Sequence, residues 1–309
     1  MNRYETKQVL GRGSFGCIYK GIDKKTNRDV AIKVDTDKPA SFDQLKWEYS
    51  VYKEMGGTRI HDKLKWPEAY YFGKQPTGDS VMVMDLLGAN LDTTVKKQDK
   101  LRPAQVAYFA TQMLNLIKVF HNKGFIHRDL KPQNFVVDDS SSRYPELLLI
   151  DYGLVKKYWD DKSATHCPYL SKKGLKGTVR YTSVSTHLGL DQSRRDDLQS
   201  IGYILVYMTL GKVPWQSVVK SKDKRSGYQE IMVLKMKTKL EDLIKGIPVE
   251  LERPLLNYLM YVNSLMFHES PNYEFMMDLF KPLLHSFNGI SPTDDNVDHV
   301  PLEPKIKNK

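Results

Sequence analysis

The sequence predicts an α+β molecule of two lobes, a small β-rich one followed by a larger, mainly helical one. Three observations carry this. From Tyr4 to Thr36 apolar and polar residues alternate, with turn signals at "GRGSFG" and "KKTNRD". After Gly88 the apolar spacing lengthens to that of amphipathic helices. The chain has 309 residues, 40% of them hydrophobic, enough for one large domain or two lobes around a cleft.

The elements follow in order. "SFDQLKWEYSVYKEMGG" is expected to be helical, with Ser41 as cap and Gly56 and Gly57 as stop. "AYYFGKQPTGDSVMVMDLLG" reads as a hairpin that ends in a buried strand. "PAQVAYFATQMLNLIKVFHNKG" is a long amphipathic helix, with Pro103 at its start and Gly124 past its end. Further helices are expected from Asp196 to Leu210, Tyr228 to Lys237 and Pro254 to Met266. The expected division is a first lobe over 1–87, a second over 88–285 and a short flexible tail over 286–309.

Lys and Arg total 47 against 37 Asp and Glu, a formal charge of +10 that favours anionic partners. Cys17 and Cys167 are far apart and form no metal-ligand spacing, so both are expected as free thiols in a reducing compartment. The first residues have no apolar core of signal-peptide length. The run "IGYILVYMTL" is about half of a membrane span and reads as a buried helix. The basic residues are not interleaved with aromatics as a nucleic-acid surface would require. The expectation is a soluble intracellular monomer, cytoplasmic or nuclear, that takes protein partners and neither binds nucleic acid nor spans a membrane.

Four motifs carry chemistry. "LGRGSFGCI", comprising Leu10, Gly11, Arg12, Gly13, Ser14, Phe15, Gly16, Cys17 and Ile18, joins two strands, and its glycines let backbone N–H groups approach phosphate oxygens. Lys33 in "VAIKV" follows one hairpin later, and Glu48 in the next helix is placed to orient it, with Glu54 as the other acidic residue nearby. "HRDLKPQN" fits H-R-D-L-x-x-x-N: Asp129 to accept a hydroxyl proton, Lys131 to neutralise transferred phosphoryl charge, Asn134 to hold Mg²⁺. "LLLIDYG" delivers Asp151 from a buried strand as a second Mg²⁺ ligand, and Tyr152 adds a hydroxyl that needs a partner.

In this order and spacing the motifs resemble the eukaryotic protein kinase superfamily over residues 4–285. The resemblance implies a bilobal protein kinase fold, with ATP and Mg²⁺ between the lobes. It further implies Met84 as gatekeeper, Asp85 and Leu87 as hinge, and Ala31, Val136 and Ile150 around the adenine. Because Lys33, Asp129, Asn134 and Asp151 are all present, an active enzyme is favoured over a pseudokinase scaffold.

A typical kinase would carry an Ala-Pro-Glu anchor after these motifs. Here "GTVRYTSVSTHLGLDQSRRDDLQSIGY", with "PWQ" at Pro214 to Gln216, is similar to the casein kinase 1 family, which also lacks that tripeptide. Tyr152 also resembles vaccinia-related kinases, the alternative subfamily. The casein kinase 1 resemblance implies serine or threonine acceptors in acidic or phospho-primed proteins. Arg180 would lie in the phosphate pocket, and Arg128, Lys156 and Lys173 in a second anion cluster. Lys224 and Arg225 would add to the first pocket, although Gly227 stands where the family has a lysine. Asp197, five residues before Gly202, would hold the catalytic-loop backbone. Activity without phosphorylation of the activation segment is also implied.

Overall fold

The computed structural model describes residues 3–13, 16–35, 43–56, 64–138, 145–218 and 224–288. Ser14, Phe15, Ser41, Gly57 and the tail beyond 288 lie outside the described residues.

The β-rich lobe is one antiparallel sheet of five strands in the order β1-β2-β3-β5-β4. The strands are β1 (Tyr4–Gly13), β2 (Gly16–Asp23), β3 (Arg28–Asp35), β4 (Ala69–Lys74) and β5 (Ser80–Asp85). Alternation along β3 and β5 divides the side chains between two layers. Val30, Ile32 and Val34 join Val81 and Val83 in a small outer cluster with Tyr4. Ala31 belongs to the main core with its strand partner Met84. Lys33 follows on Ala31's face, opposite Met82, so the strand's period carries its amine inward.

Helix α1 (Gln44–Gly56) covers that face. Asp43 accepts from the Lys46 amide at 3.0 Å and performs the capping expected of Ser41. The expected hairpin is β4–β5, and β5 is buried along nearly its whole length.

The helical lobe contains α2 (Leu91–Gln98), α3 (Pro103–Asn122), α4 (Val184–His187), α5 (Arg194–Leu210), α6 (Lys224–Lys237), α7 (Leu240–Leu243), α8 (Val249–Ser264), α9 (Tyr273–Asp278) and α10 (Lys281–Asn288). Short strands interrupt it: β6 (Phe125–Ile126), β7 (Phe135–Asp138), β8 (Glu146–Leu149), β9 (Lys156–Lys157), β10 (Trp159–Asp160) and β11 (Thr165–His166). Helix α5 lies against α3 and α8, and its residues from Ile201 to Thr209 are all buried. Among the described residues no helix is long and apolar enough to cross a membrane.

Boundaries differ from the expected ones for local reasons. α5 starts two residues before Asp196, because the Asp196 carboxylate caps it by accepting from the Ser193 amide at 2.8 Å. α8 starts at Val249, ahead of Pro254, because Leu251 continues the buried stripe of Leu255, Tyr258, Leu259 and Val262. α10 continues to Asn288, so residues 286–288 are helical where a tail was expected.

Candidate active site

The β3 amine and the α1 carboxylate meet. Lys33 Nζ lies 2.7 Å from Glu48 Oε2 and 3.4 Å from Asp151 Oδ1. Burial disfavours the ammonium, but Glu48 and Asp151 outweigh it and raise the Lys33 pKa, so the amine stays charged. Glu54, the other acidic candidate, instead faces Lys157 at 3.8 Å.

The glycine loop is the tip of the β1–β2 hairpin, where Gly13 pairs with Gly16. Gly16 has φ +121°, and a Cβ there would sit 2.0 Å from the Val34 carbonyl, so only glycine lets the tip lie against β3. Leu10 and Ile18 are exposed apolar residues on this hairpin, and Gly11, Arg12 and Cys17 lie with them. Ala31, Met84 and Val136 are buried; Leu87 and Ile150 are half-buried. Asp85's carboxylate is committed locally, accepting from the Glu68 amide and the Tyr70 hydroxyl. Any hinge role therefore falls to its backbone. A cavity of about 990 Å³ beside the end of β5 touches Asp85, Leu87 and Val136, but none of the charged residues Lys33, Asp129 or Asp151.

The catalytic loop follows β6. Arg128 has φ +69° and Asp151 φ +67°, both unusual for side chains with a Cβ. Each is held by a specific acceptor. Asp197, at the start of α5, accepts from the His127 and Arg128 amides at 2.7 and 2.8 Å. Burial opposes its ionisation, but His121 (Nε2 at 3.0 Å) and the loop outweigh it, and its pKa lies below the usual carboxylate value. The Tyr52 hydroxyl accepts from the Asp151 amide at 3.0 Å. The Tyr152 hydroxyl donates to the Leu149 carbonyl at 2.7 Å, so the partner it requires is local, and its ring stacks on Tyr52 at 4.2 Å.

Asp129 is anchored from three directions. Its Oδ1 accepts from the Thr178 amide and hydroxyl, both at 2.7 Å, and its Oδ2 accepts from Lys131 Nζ at 2.6 Å. Lys131 also lies 3.9 Å from Asp151 Oδ2. Asn134 donates through Nδ2 to the Asp129 carbonyl at 2.9 Å, which commits its nitrogen and leaves its oxygen as an acceptor. Burial works against the Asp151 carboxylate, but Lys33 and Lys131 outweigh it and lower its pKa. An amide oxygen and an ionised carboxylate are hard oxygen donors of the kind that suit Mg²⁺.

The anion residues are less uniform than the resemblance implies. Lys156 is paired with Asp191 at 2.7 Å. Asp191 also attracts Arg128, whose Nε donates to the Leu154 carbonyl at 2.6 Å. A buried carboxylate of the protein itself therefore already pairs with Lys156, while Arg128, whose pKa burial lowers, feels that charge only from beyond ion-pair distance. Lys173 is exposed, and its amide donates to the Gly189 carbonyl. Arg180 has a buried Nε without a partner among the described residues, and its guanidinium lies 5.9 Å from the Tyr181 ring. Lys224 begins α6, and its side chain lies outside the described residues. Gly227 lies in the first turn of the same helix and is buried.

Sequence reasoning missed four functional candidates: Thr178, Asp191, Tyr52 and Lys235. Three had a legible signal. Thr178 and Asp191 stand within the segment already singled out, and Tyr52 is one helical turn after Glu48. Lys235 gave none, since a lysine near a helix end reads as solvated.

A five-stranded sheet over a helical lobe, with Lys33, Asp129, Asn134 and Asp151 brought to the junction, is the architecture of a phosphoryl-transfer enzyme. A family model described as "Protein kinase domain" matches residues 4–281, and the chain belongs to that family. It is a bilobal α+β protein kinase.

Proposed function

We propose that this kinase is a serine/threonine kinase of casein kinase 1 type that transfers the γ-phosphoryl of ATP to acidic or phospho-primed proteins. The observation that carries activity over a scaffold role is the ordered set around Asp129, with Thr178 and Lys131 at 2.7 and 2.6 Å and Asp197 fixing the loop. The subfamily reading rests on the "THLGLDQSRRDD" segment and the missing Ala-Pro-Glu tripeptide.

Mechanistically, Asp129 orients the acceptor hydroxyl and takes its proton. Its carboxylate needs no reorganisation, because Thr178 and Lys131 already fix both oxygens. Lys131 also supplies positive charge beside the transferred group. Lys33, charged and oriented by Glu48, is placed to contact the nucleotide's phosphates. Asn134 and Asp151 would hold Mg²⁺, which when bound neutralises phosphate charge. Leu10, Ile18, Ala31, Met84, Val136 and Ile150 would enclose the adenine, with the Asp85 and Leu87 backbones as its hydrogen-bonding edge.

Substrate reading is assigned to Arg180, a half-buried guanidinium in the activation segment whose planar fork suits phosphate or carboxylate. Lys173 and the backbone start of α6 at Lys224 complete the reading, while Asp191 makes Lys156 and Arg128 the weaker part of it. Purified protein with MgATP and a peptide library, primed and unprimed, tests the proposal. Phosphoserine or phosphothreonine in peptides with an upstream phosphate or acidic residue is expected. Arg180→Ala should lower kcat/KM about tenfold more for primed than for unprimed peptides, equivalent to ~1.4 kcal/mol. Tyrosine phosphorylation, or equal losses on both peptide classes, overturns it.

A further inference from the structure

The kinase lacks the tripeptide that would anchor its activation segment, yet the end of that segment is held firmly. Lys235, in α6, is nearly fully buried. Lysine is seldom buried without a partner, since removing an amine from water is costly unless hydrogen bonds replace its hydration. Among the described residues no carboxylate pairs with it. Its Nζ instead donates to the Val179 carbonyl at 2.8 Å and the Thr182 carbonyl at 2.5 Å, with His187 Nε2 at 3.3 Å. The Tyr203 and Trp215 rings stand 4.9 and 5.1 Å away. Trp215 itself donates through Nε1 to the Arg180 carbonyl at 2.8 Å.

The residues so held form a turn. The Tyr181 and Thr182 amides and the Thr182 hydroxyl all donate to the Thr178 carbonyl, at 2.8, 3.0 and 3.0 Å. Thr178 in turn donates twice to Asp129 Oδ1. Lys235 is thus one turn and one residue removed from the group that takes the substrate proton.

We infer that Lys235, assisted by Trp215, is a positioning residue for phosphoryl transfer: it fixes the Thr178–Thr182 turn from α6 and so keeps Thr178 on Asp129. The inference rests on the catalytic reading above. Its distinctive consequence is that losing the amine disturbs turnover while leaving the nucleotide side of the cleft intact, because Lys33 is held by Glu48 and Asp151 and not by the turn.

The test is Lys235→Met, which keeps an unbranched chain against Trp215 and Tyr203 and removes only the donor. Expected results are a kcat about 10- to 100-fold lower on a peptide substrate and an ATP-analogue Kd within about twofold of wild type. Thr178→Val removes the hydroxyl donor to Asp129, and the double variant should lose little more than the worse single one. Unchanged kcat, equal loss of nucleotide affinity, or additive losses would overturn the inference, since a merely structural role gives the last two. If Lys235→Met does not fold, Trp215→Phe removes the indole donor to Arg180 together with part of the buried ring; lowered kcat at retained ATP affinity supports the anchor and unchanged kcat overturns it. If wild type phosphorylates no peptide, the proposed function fails, and the anchor is read separately by hydrogen exchange. Exchange of the Tyr181 and Thr182 amides should quicken at least about tenfold in Lys235→Met; unchanged exchange refutes the anchor.

Discussion

Asp129 is the residue on which the local geometry converges, and replacing its charge tests the chemistry with little change of shape. Asp129→Asn keeps an oxygen for Thr178 but loses the base and the pairing with Lys131. Kinetics should show kcat reduced by about 10²–10⁴-fold, with nucleotide affinity near wild type. A second residue is fixed by space. Gly177 has φ +94°, and a Cβ there would lie 2.4 Å from the Arg128 carbonyl. Here the activation segment passes directly over the catalytic loop, one residue before Thr178. Gly177→Ala should cost about 1–3 kcal/mol in denaturant unfolding and also depress kcat, because relieving the clash moves Thr178 off Asp129.

Helix α5 couples stability to the site at the scale of an element. Its first turn carries two buried carboxylates that point to different tasks. Asp197 holds the catalytic loop, and Asp197→Ala would leave two buried amides and His121 without their acceptor. A loss of about 3–5 kcal/mol is expected in chemical unfolding. Asp196 accepts from Ser183 at 2.5 Å and from the Ser193 amide, but burial dominates and raises its pKa to about 6. The folded state therefore binds this proton more tightly than the unfolded chain does. The resulting contribution is fully present below the unfolded carboxylate pKa and is lost as pH rises through about 6. Asp196→Asn should remove this dependence, an effect on the order of 3 kcal/mol between pH 4 and 7, measured as the difference between the two proteins' unfolding free energies. The helix itself was legible from its apolar run, and the strands from their alternation. Its exact start was not, because the cap depends on a carboxylate turning back onto Ser193, which periodicity does not encode. Lys33, Glu48, Asp129, Asn134 and Asp151 were legible because their chemistry demands particular residue types at fixed spacing. Thr178 and Asp191 could be located within a segment already singled out, but their tasks could not, and Lys235 gave no signal at all, because what these residues do depends on which groups tertiary packing brings to them.

Across the whole molecule, the two lobes are tied through α1 and the start of the activation segment. Gln44 and Trp47 donate to the Gly153 and Val155 carbonyls at 2.8 and 3.0 Å, while Tyr52 holds the Asp151 amide. Placement of Glu48 against Lys33 and placement of Asp151 are thereby one event. A kinase switched by phosphorylation would leave the charge beside Arg128 unpaired until a phosphate arrived. Here the Asp191 carboxylate pairs with Lys156 and adds favourable charge toward Arg128, although burial still lowers the Arg128 pKa, and Thr178 already spends its hydroxyl on Asp129. The expected consequence is an enzyme active as synthesised: phosphatase-treated protein, shown by mass spectrometry to carry no phosphate between Asp151 and Thr182, should retain at least about half its kcat. Asp191→Asn removes the internal charge and should lower kcat severalfold at unchanged ATP affinity, because the cost falls on the segment and not on the nucleotide contacts. If the dephosphorylated enzyme is inactive and regains turnover only when a residue of that segment is phosphorylated, Asp191 does not take the place of the phosphate.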